Sequence, residues 1–207
     1  VTHNTTYDRA GNIRTLTYGQ TNRVITSEYD ALNRLDNCSE VVGVGTSRVT
    51  SYLYNLNGGV TRKTLPNDSY TDCVFDKLNR KTSITNRLGN GTQIQKSVTV
   101  YDDQSNVTKL TEYGSGATAT LVTDMVNDNV YRLDTETRTE SSKVTVSDYG
   151  YDKGNNRTTK SVAVDGGTAA VSTYVYGTTA DGFNSNQLKS YNRPATGETV
   201  SFTYDSN

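Results

Sequence analysis

The sequence predicts an all-β chain of repeated antiparallel hairpins, and three observations carry that prediction. A short motif opened by an aromatic residue and an aspartate returns along almost the whole chain. Thr, Val and Tyr dominate between the copies, and these residues suit a pleated surface wetted on at least one face. No segment has the apolar spacing of an amphipathic helix, so almost no helix is expected.

The composition limits what such hairpins can bury. Hydrophobic residues make up 32% of the 207 residues, and mean hydropathy is -0.68. Leu, Ile, Val and Phe supply about a fifth of the chain, close to the level of disordered segments. Against disorder stand 15 Tyr, only 2 Pro and a net charge of -1. A thin sheet with two partly hydrated faces reconciles these facts, because it needs little aliphatic core. The near-zero charge and the lack of a Lys/Arg run exclude nucleic acid as an expected partner. No stretch approaches the roughly 20 apolar residues of a membrane helix. Val1-Thr2-His3-Asn4 is not a signal peptide, and a start without Met points to a processed chain or a piece of a larger one.

The clearest motif copies are Tyr7-Asp8-Arg9-Ala10-Gly11-Asn12, Tyr29-Asp30-Ala31-Leu32-Asn33-Arg34 and Phe75-Asp76-Lys77-Leu78-Asn79-Arg80. Tyr101-Asp102-Asp103-Gln104-Ser105-Asn106 and Tyr151-Asp152-Lys153-Gly154-Asn155-Asn156 complete them. Tyr54-Asn55-Leu56-Asn57-Gly58-Gly59 is looser, Met125 to Asn129 is read as a degenerate copy, and Tyr204-Asp205 opens another that the chain truncates at 204–207. Between Tyr151 and Tyr204, Tyr176 and Phe183 are rival anchors, with an inserted loop around Thr178 to Gly182. The whole chain, residues 1–207, therefore reads as one array of eight to nine repeats, with a period that holds about two strands and two turns.

The motif describes a turn. Four residues after the aromatic stands Gly11, Asn33, Gly58, Asn79, Ser105, Asn129 or Asn155, a position dominated by the residue types that most readily take positive φ. A type I turn closed by a left-handed residue joins antiparallel strands. The carboxylates of Asp8, Asp30, Asp76, Asp102 and Asp152 are placed to accept backbone N–H groups two residues on, which makes them structural acceptors. Strands are expected at Val98–Tyr101, Val144–Val146, Val171–Tyr176 and Val200–Tyr204. The anchors, each ending a strand at one place in the repeat, are expected to bring their rings into cross-strand rows.

The pattern Y-D-x-x-G/N-N/R, repeated at this period, resembles the YD-repeat or Rhs family, which includes bacterial Rhs proteins, shell components of insecticidal Tc toxins and the teneurin barrel. The resemblance implies a long hairpin strip that spirals into a hollow shell or barrel, secreted or on the cell surface. In the toxin members it implies an enclosed effector released by cleavage. Complete shells hold several times more repeats than this chain. Their self-cleaving aspartates and toxic domain have no counterpart here, so only the turn motif and the strand architecture carry over. The expected partners are the remainder of a longer YD-repeat chain or copies of itself, and an enclosed effector.

Other chemistry is sparse. A catalytic triad would have to use His3, the only histidine, at what reads as a frayed terminus. Asp102 and Asp103 are adjacent in a turn and diverge, which suits acid/base work poorly. Asp124 with Asn127, Asp128 and Asn129 offers clustered oxygens for Ca²⁺, without the spacing of a known loop. Gly43-Val44-Gly45 and Gly89-Asn90-Gly91 lack a following helix and read as hairpin loops. Cys38 and Cys73 form either a bridge or two separate small residues. Six N-x-S/T triplets begin at Asn4, Asn37, Asn67, Asn90, Asn106 and Asn156, about what an Asn- and Thr-rich chain gives by chance. The expectation is no catalytic residue, no cofactor and no metal. A glycan stacked on exposed Tyr is the alternative to a purely structural role.

Overall fold

A computed structural model describes residues 3–19, 21, 23–42, 46–177 and 186–204. Seventeen strands, and no helix, occur among them. The chain divides into two compact units, Val1–Val98 with Tyr113–Thr118, and Thr99–Glu112 with Ala119–Asn207.

The first unit contains β1 (His3–Tyr7), β2 (Ile13–Tyr18), β3 (Arg23–Tyr29), β4 (Leu35–Val42), β5 (Thr46–Tyr54), β6 (Val60–Thr64), β7 (Tyr70–Phe75), β8 (Lys81–Arg87) and most of β9 (Gln93–Tyr101). Each strand pairs antiparallel with the next. The second unit contains most of β10 (Val107–Tyr113), then β11 (Ala119–Asn127), β12 (Leu133–Glu140), β13 (Lys143–Tyr151), β14 (Arg157–Val164), β15 (Ala170–Tyr176), β16 (Leu188–Arg193) and β17 (Glu198–Ser201). From β11 onward these strands also pair in chain order. The all-β hairpin repeat expected from the sequence is the observed fold.

Burial explains how so polar a chain folds this way. Among the described residues no hydrophobic side chain is fully buried, and the buried side chains are Thr85, Thr123 and Ser147. With so little apolar area removed from water, ladder hydrogen bonds and turn geometry must supply an unusual share of the stability.

The turns are uniform. At the seven first-edge turns from Asp8 to Asp152, the residue after the anchor donates its N–H to the carbonyl four residues on, and the positive-φ residue donates back. Asp8 and Gly11 do this at 2.9 and 3.2 Å, and Asp76 and Asn79 both at 3.0 Å. Pairing then slips by one residue, as between Thr6 and Tyr7, Val74 and Phe75, and Gly150 and Tyr151. This is a type I turn with a left-handed residue and a bulge, which adds twist to each hairpin. Gly11, Asn33, Gly58, Asn79, Ser105 and Asn155 all have φ between 59° and 87°. Substituting Gly11 by Val places a β-branched residue in that region, and is expected to cost about 1–2 kcal/mol. A denaturant titration should show the loss as a lower midpoint with an unchanged slope.

Three sequence expectations need correction. The copy at Met125 lies two residues further on: β11 runs to Asn127, Asp128 makes the turn bonds, and Tyr131 rather than Asn129 has positive φ, at 66°. Asn127 occupies the aromatic position without a ring, which hid the register, while Arg132 supplies the partner four residues after Asp128. The final strand runs only to Ser201, although Phe202 N–H still donates to the Lys189 carbonyl at 3.0 Å and the Tyr204 hydroxyl to the Leu188 carbonyl at 2.9 Å. His3 is not frayed: it lies in β1, with its ring edge-on to Tyr18 at 5.0 Å. The hairpin loop expected at Gly89–Gly91 is observed, and Leu65–Ser69 and Leu88–Thr92 repeat the first-edge turn with Asp68 and Gly91 at positive φ and Leu in place of Asp. Gly43–Gly45, Thr178–Gly182, Phe183 and Asp205 lie outside the described residues. Of the rival anchors, Tyr176 takes the structural position: it pairs with Leu188, and Gly177 N–H donates to the Gln187 carbonyl.

Candidate functional site

The chemistry-bearing side chains concentrate along the first turn edge, where each Asp meets the residue four positions on. One carboxylate oxygen accepts two backbone N–H groups and the other accepts a side chain. Asp76 Oδ1 accepts Leu78 N–H and Arg80 N–H, both at 2.9 Å, and Oδ2 accepts Arg80 Nε at 2.7 Å. Asp30 with Arg34 and Asp128 with Arg132 repeat this. Asp8 with Asn12 and Asp152 with Asn156 do so through an amide. Asp102 holds Asn106 through both its backbone and its amide, at 2.8 Å each. At the loose copy, Asn55 Oδ1 accepts Asn57 N–H and Gly59 N–H, which shows that one oxygen suffices for the backbone part.

These bonds favour the charged carboxylate. The Arg34, Arg80 and Arg132 backbone N–H groups, followed by their guanidiniums, hold Asp30, Asp76 and Asp128 below the ordinary carboxylate value. For Asp8 and Asp152 the side-chain amides of Asn12 and Asn156 are the first cause.

Within each unit a second set of contacts ties several turns to the next, from Asp8 to Asp76 in the first unit and from Asp128 to Asp152 in the second. The anchor hydroxyl donates to a carbonyl at the start of the preceding return strand: Tyr29 to Ile13 at 3.0 Å, Tyr54 to Leu35 at 2.7 Å and Tyr151 to Leu133 at 2.9 Å. The residue after the positive-φ position reaches forward. Arg34 lies over the Tyr54 ring at 4.4 Å and donates to the Asn55 carbonyl, while Arg132 lies over Tyr151 at 4.6 Å and donates to the Asp152 carbonyl and Asn155. Asn12 instead donates to Asn33, and at the loose copy Asn55, which stands in the Asp position, donates to Asn79. Where neither Arg nor Asn stands, Gly59 makes room: a Cβ there would come within 2.9 Å of the Phe75 ring.

The expected rows of stacked anchor rings are therefore replaced, at these positions, by rings alternating with guanidinium and amide groups. Ring-on-ring stacking occurs elsewhere, at Tyr174 on Tyr191 and Tyr191 on Phe202. Tyr54→Phe keeps the ring over Arg34 and removes only the hydroxyl bond, so a loss of about 1 kcal/mol is expected in a denaturant titration.

The other candidates are used locally. Asp124 pairs with Lys109 at 2.9 Å and Asp128 with Arg132 at 2.7 Å, which divides the proposed calcium cluster between two ion pairs. A cleft of about 500 Å³ between the Asp102 and Asp128 turns is lined by the turn groups Asp102, Asn106 and Asp128 together with Gln104, Met125 and Tyr131. Cys38 and Cys73 are separate, half-buried thiols.

The fold and its turn ladder thus define an all-β array of antiparallel hairpins whose turns carry a repeated Tyr-Asp motif. Among solved structures, TcdB2-TccC3 without its hypervariable C-terminal region matches with a TM-score of 0.72 and 17% identity, over 86% of this chain and 10% of that one. TcdB2-TccC3-TEV matches with a TM-score of 0.70 and 16% identity, over 94% of this chain and 10% of that one. TcdB2-TccC3-Cdc42 gives 0.71 and 17%, over 84% and 10%. The shared feature is the fold, and the chain spans about a tenth of the length of those it matches. No protein-family model and no curated protein matches the sequence.

Proposed function

We propose that this chain is a structural length of a YD-repeat wall, secreted or cell-surface, that encloses a cargo and does no chemistry of its own. The observation that carries the reading is the double use of the turns at Asp30 and Asp128: the carboxylates close their own hairpin while Tyr and Arg side chains fasten it to the next. Acids committed in this way are unsuited to proton transfer, and a sheet held by its turns can be thin and long. The fold shared with TcdB2-TccC3, a chain about ten times longer, supports a wall continued by further repeats. Glycan binding is less favoured at the aromatic cluster, because Tyr174 carries Arg157 at 4.4 Å and stacks on Tyr191, leaving little open ring face for a sugar.

The test is the intact mass of the native polypeptide from its source, followed by protease digestion under native conditions. The reading expects a mass several times 22.6 kDa and a segment that resists protease until the repeats are opened. A mass near 22.6 kDa would overturn it.

A further inference from the structure

The tips of the first turn edge are apolar in a way the turn chemistry does not require. In the first unit Leu32, Leu56 and Leu78 stand at successive tips, exposed by 69%, 102% and 65%. Single exposed leucines are ordinary, but a row on rigid turns is a surface that lacks its counterpart. Turns on either edge recur every second strand, at about 10 Å. The opposite edge of the same unit carries Leu65 and Leu88, exposed by 40% and 46%, at that interval. Charge is complementary as well in the first unit, where Arg9 and Lys77 are exposed on the first edge and Asp68 on the second.

We propose that the leucine-tipped edge docks against the opposite turn edge of a second copy of this chain, with Leu56 and Leu78 against Leu65 and Leu88, and Lys77 facing Asp68. Because the two surfaces differ, the contact is head-to-tail and leaves a free edge at each end of the stack. The proposal stands on the two edges and is independent of what the wall encloses.

Sedimentation velocity of the 207-residue chain over a range of concentrations tests it. The expected result is a sedimentation coefficient that rises with concentration. Leu56→Ser with Leu78→Ser should raise the concentration needed by about tenfold, with the far-ultraviolet circular dichroism unchanged. Lys77→Glu should weaken association, and adding Asp68→Lys should restore it. A chain that stays monomeric throughout overturns the proposal. So does association that is undiminished by the serine variants and indifferent to the charge swap, which would assign it to pairing of open strand edges.

Discussion

Lowering the pH from about 6 to about 2 is expected to weaken the fold steeply, with most of the loss below the ordinary aspartate value of 3.8. Asp8, Asp30, Asp76, Asp128 and Asp152 all titrate below that value in the folded chain. In the window between the folded and unfolded values the unfolded chain binds more protons, so stability falls as pH falls. The contribution is therefore complete above 3.8 and is lost as pH drops through the depressed folded values. With five carboxylates acting together, and no fully buried apolar side chain among the described residues to compensate, urea midpoints measured across this range should drop. A midpoint that stays level down to pH 2 would mean that the turn carboxylates do not stabilise the fold.

The second large effect concerns a single turn. Asp76→Ala removes three bonds at once, the two backbone N–H groups of Leu78 and Arg80 and the guanidinium of Arg80. It should lower the melting temperature more than any other single polar change at that turn. Asp76→Asn keeps an oxygen where Oδ1 stands and should recover much of the loss, as Asn55 does at its own turn. Paired thermal scans of the two variants separate these contributions. Equal losses in both would place the stabilisation in the ion pair alone, and no loss in either would deny the carboxylate a structural role.

Much of this architecture was legible in the sequence because it is local. Tyr-Asp followed by Gly or Asn at a fixed offset specifies a turn without reference to the rest of the chain, so the positive-φ sites at Gly11, Asn33 and Asn79 could be read from residue type. What depends on the neighbouring hairpin could not. Nothing within the Asp30 motif indicates that Arg34 will lie over Tyr54, a ring from the following copy, so stacked rings were the simpler expectation. The turn at Asp128 was misplaced because Asn127 had lost the aromatic signal while the spacing from Asp128 to Arg132 remained. On the second edge the hairpin loop at Gly89–Gly91 was legible, but not that Leu65 and Leu88 make the same backbone turn, since no carboxylate marks it.

The most direct test of the central claim, that the sheet is held by its turns, is amide hydrogen exchange resolved by residue. Arg34, Arg80 and Arg132 N–H groups, which donate to turn carboxylates, should exchange slowly, at rates close to those of mid-strand amides. If they instead exchange as fast as unstructured amides while the strand interiors remain protected, the turns are not what holds this fold together.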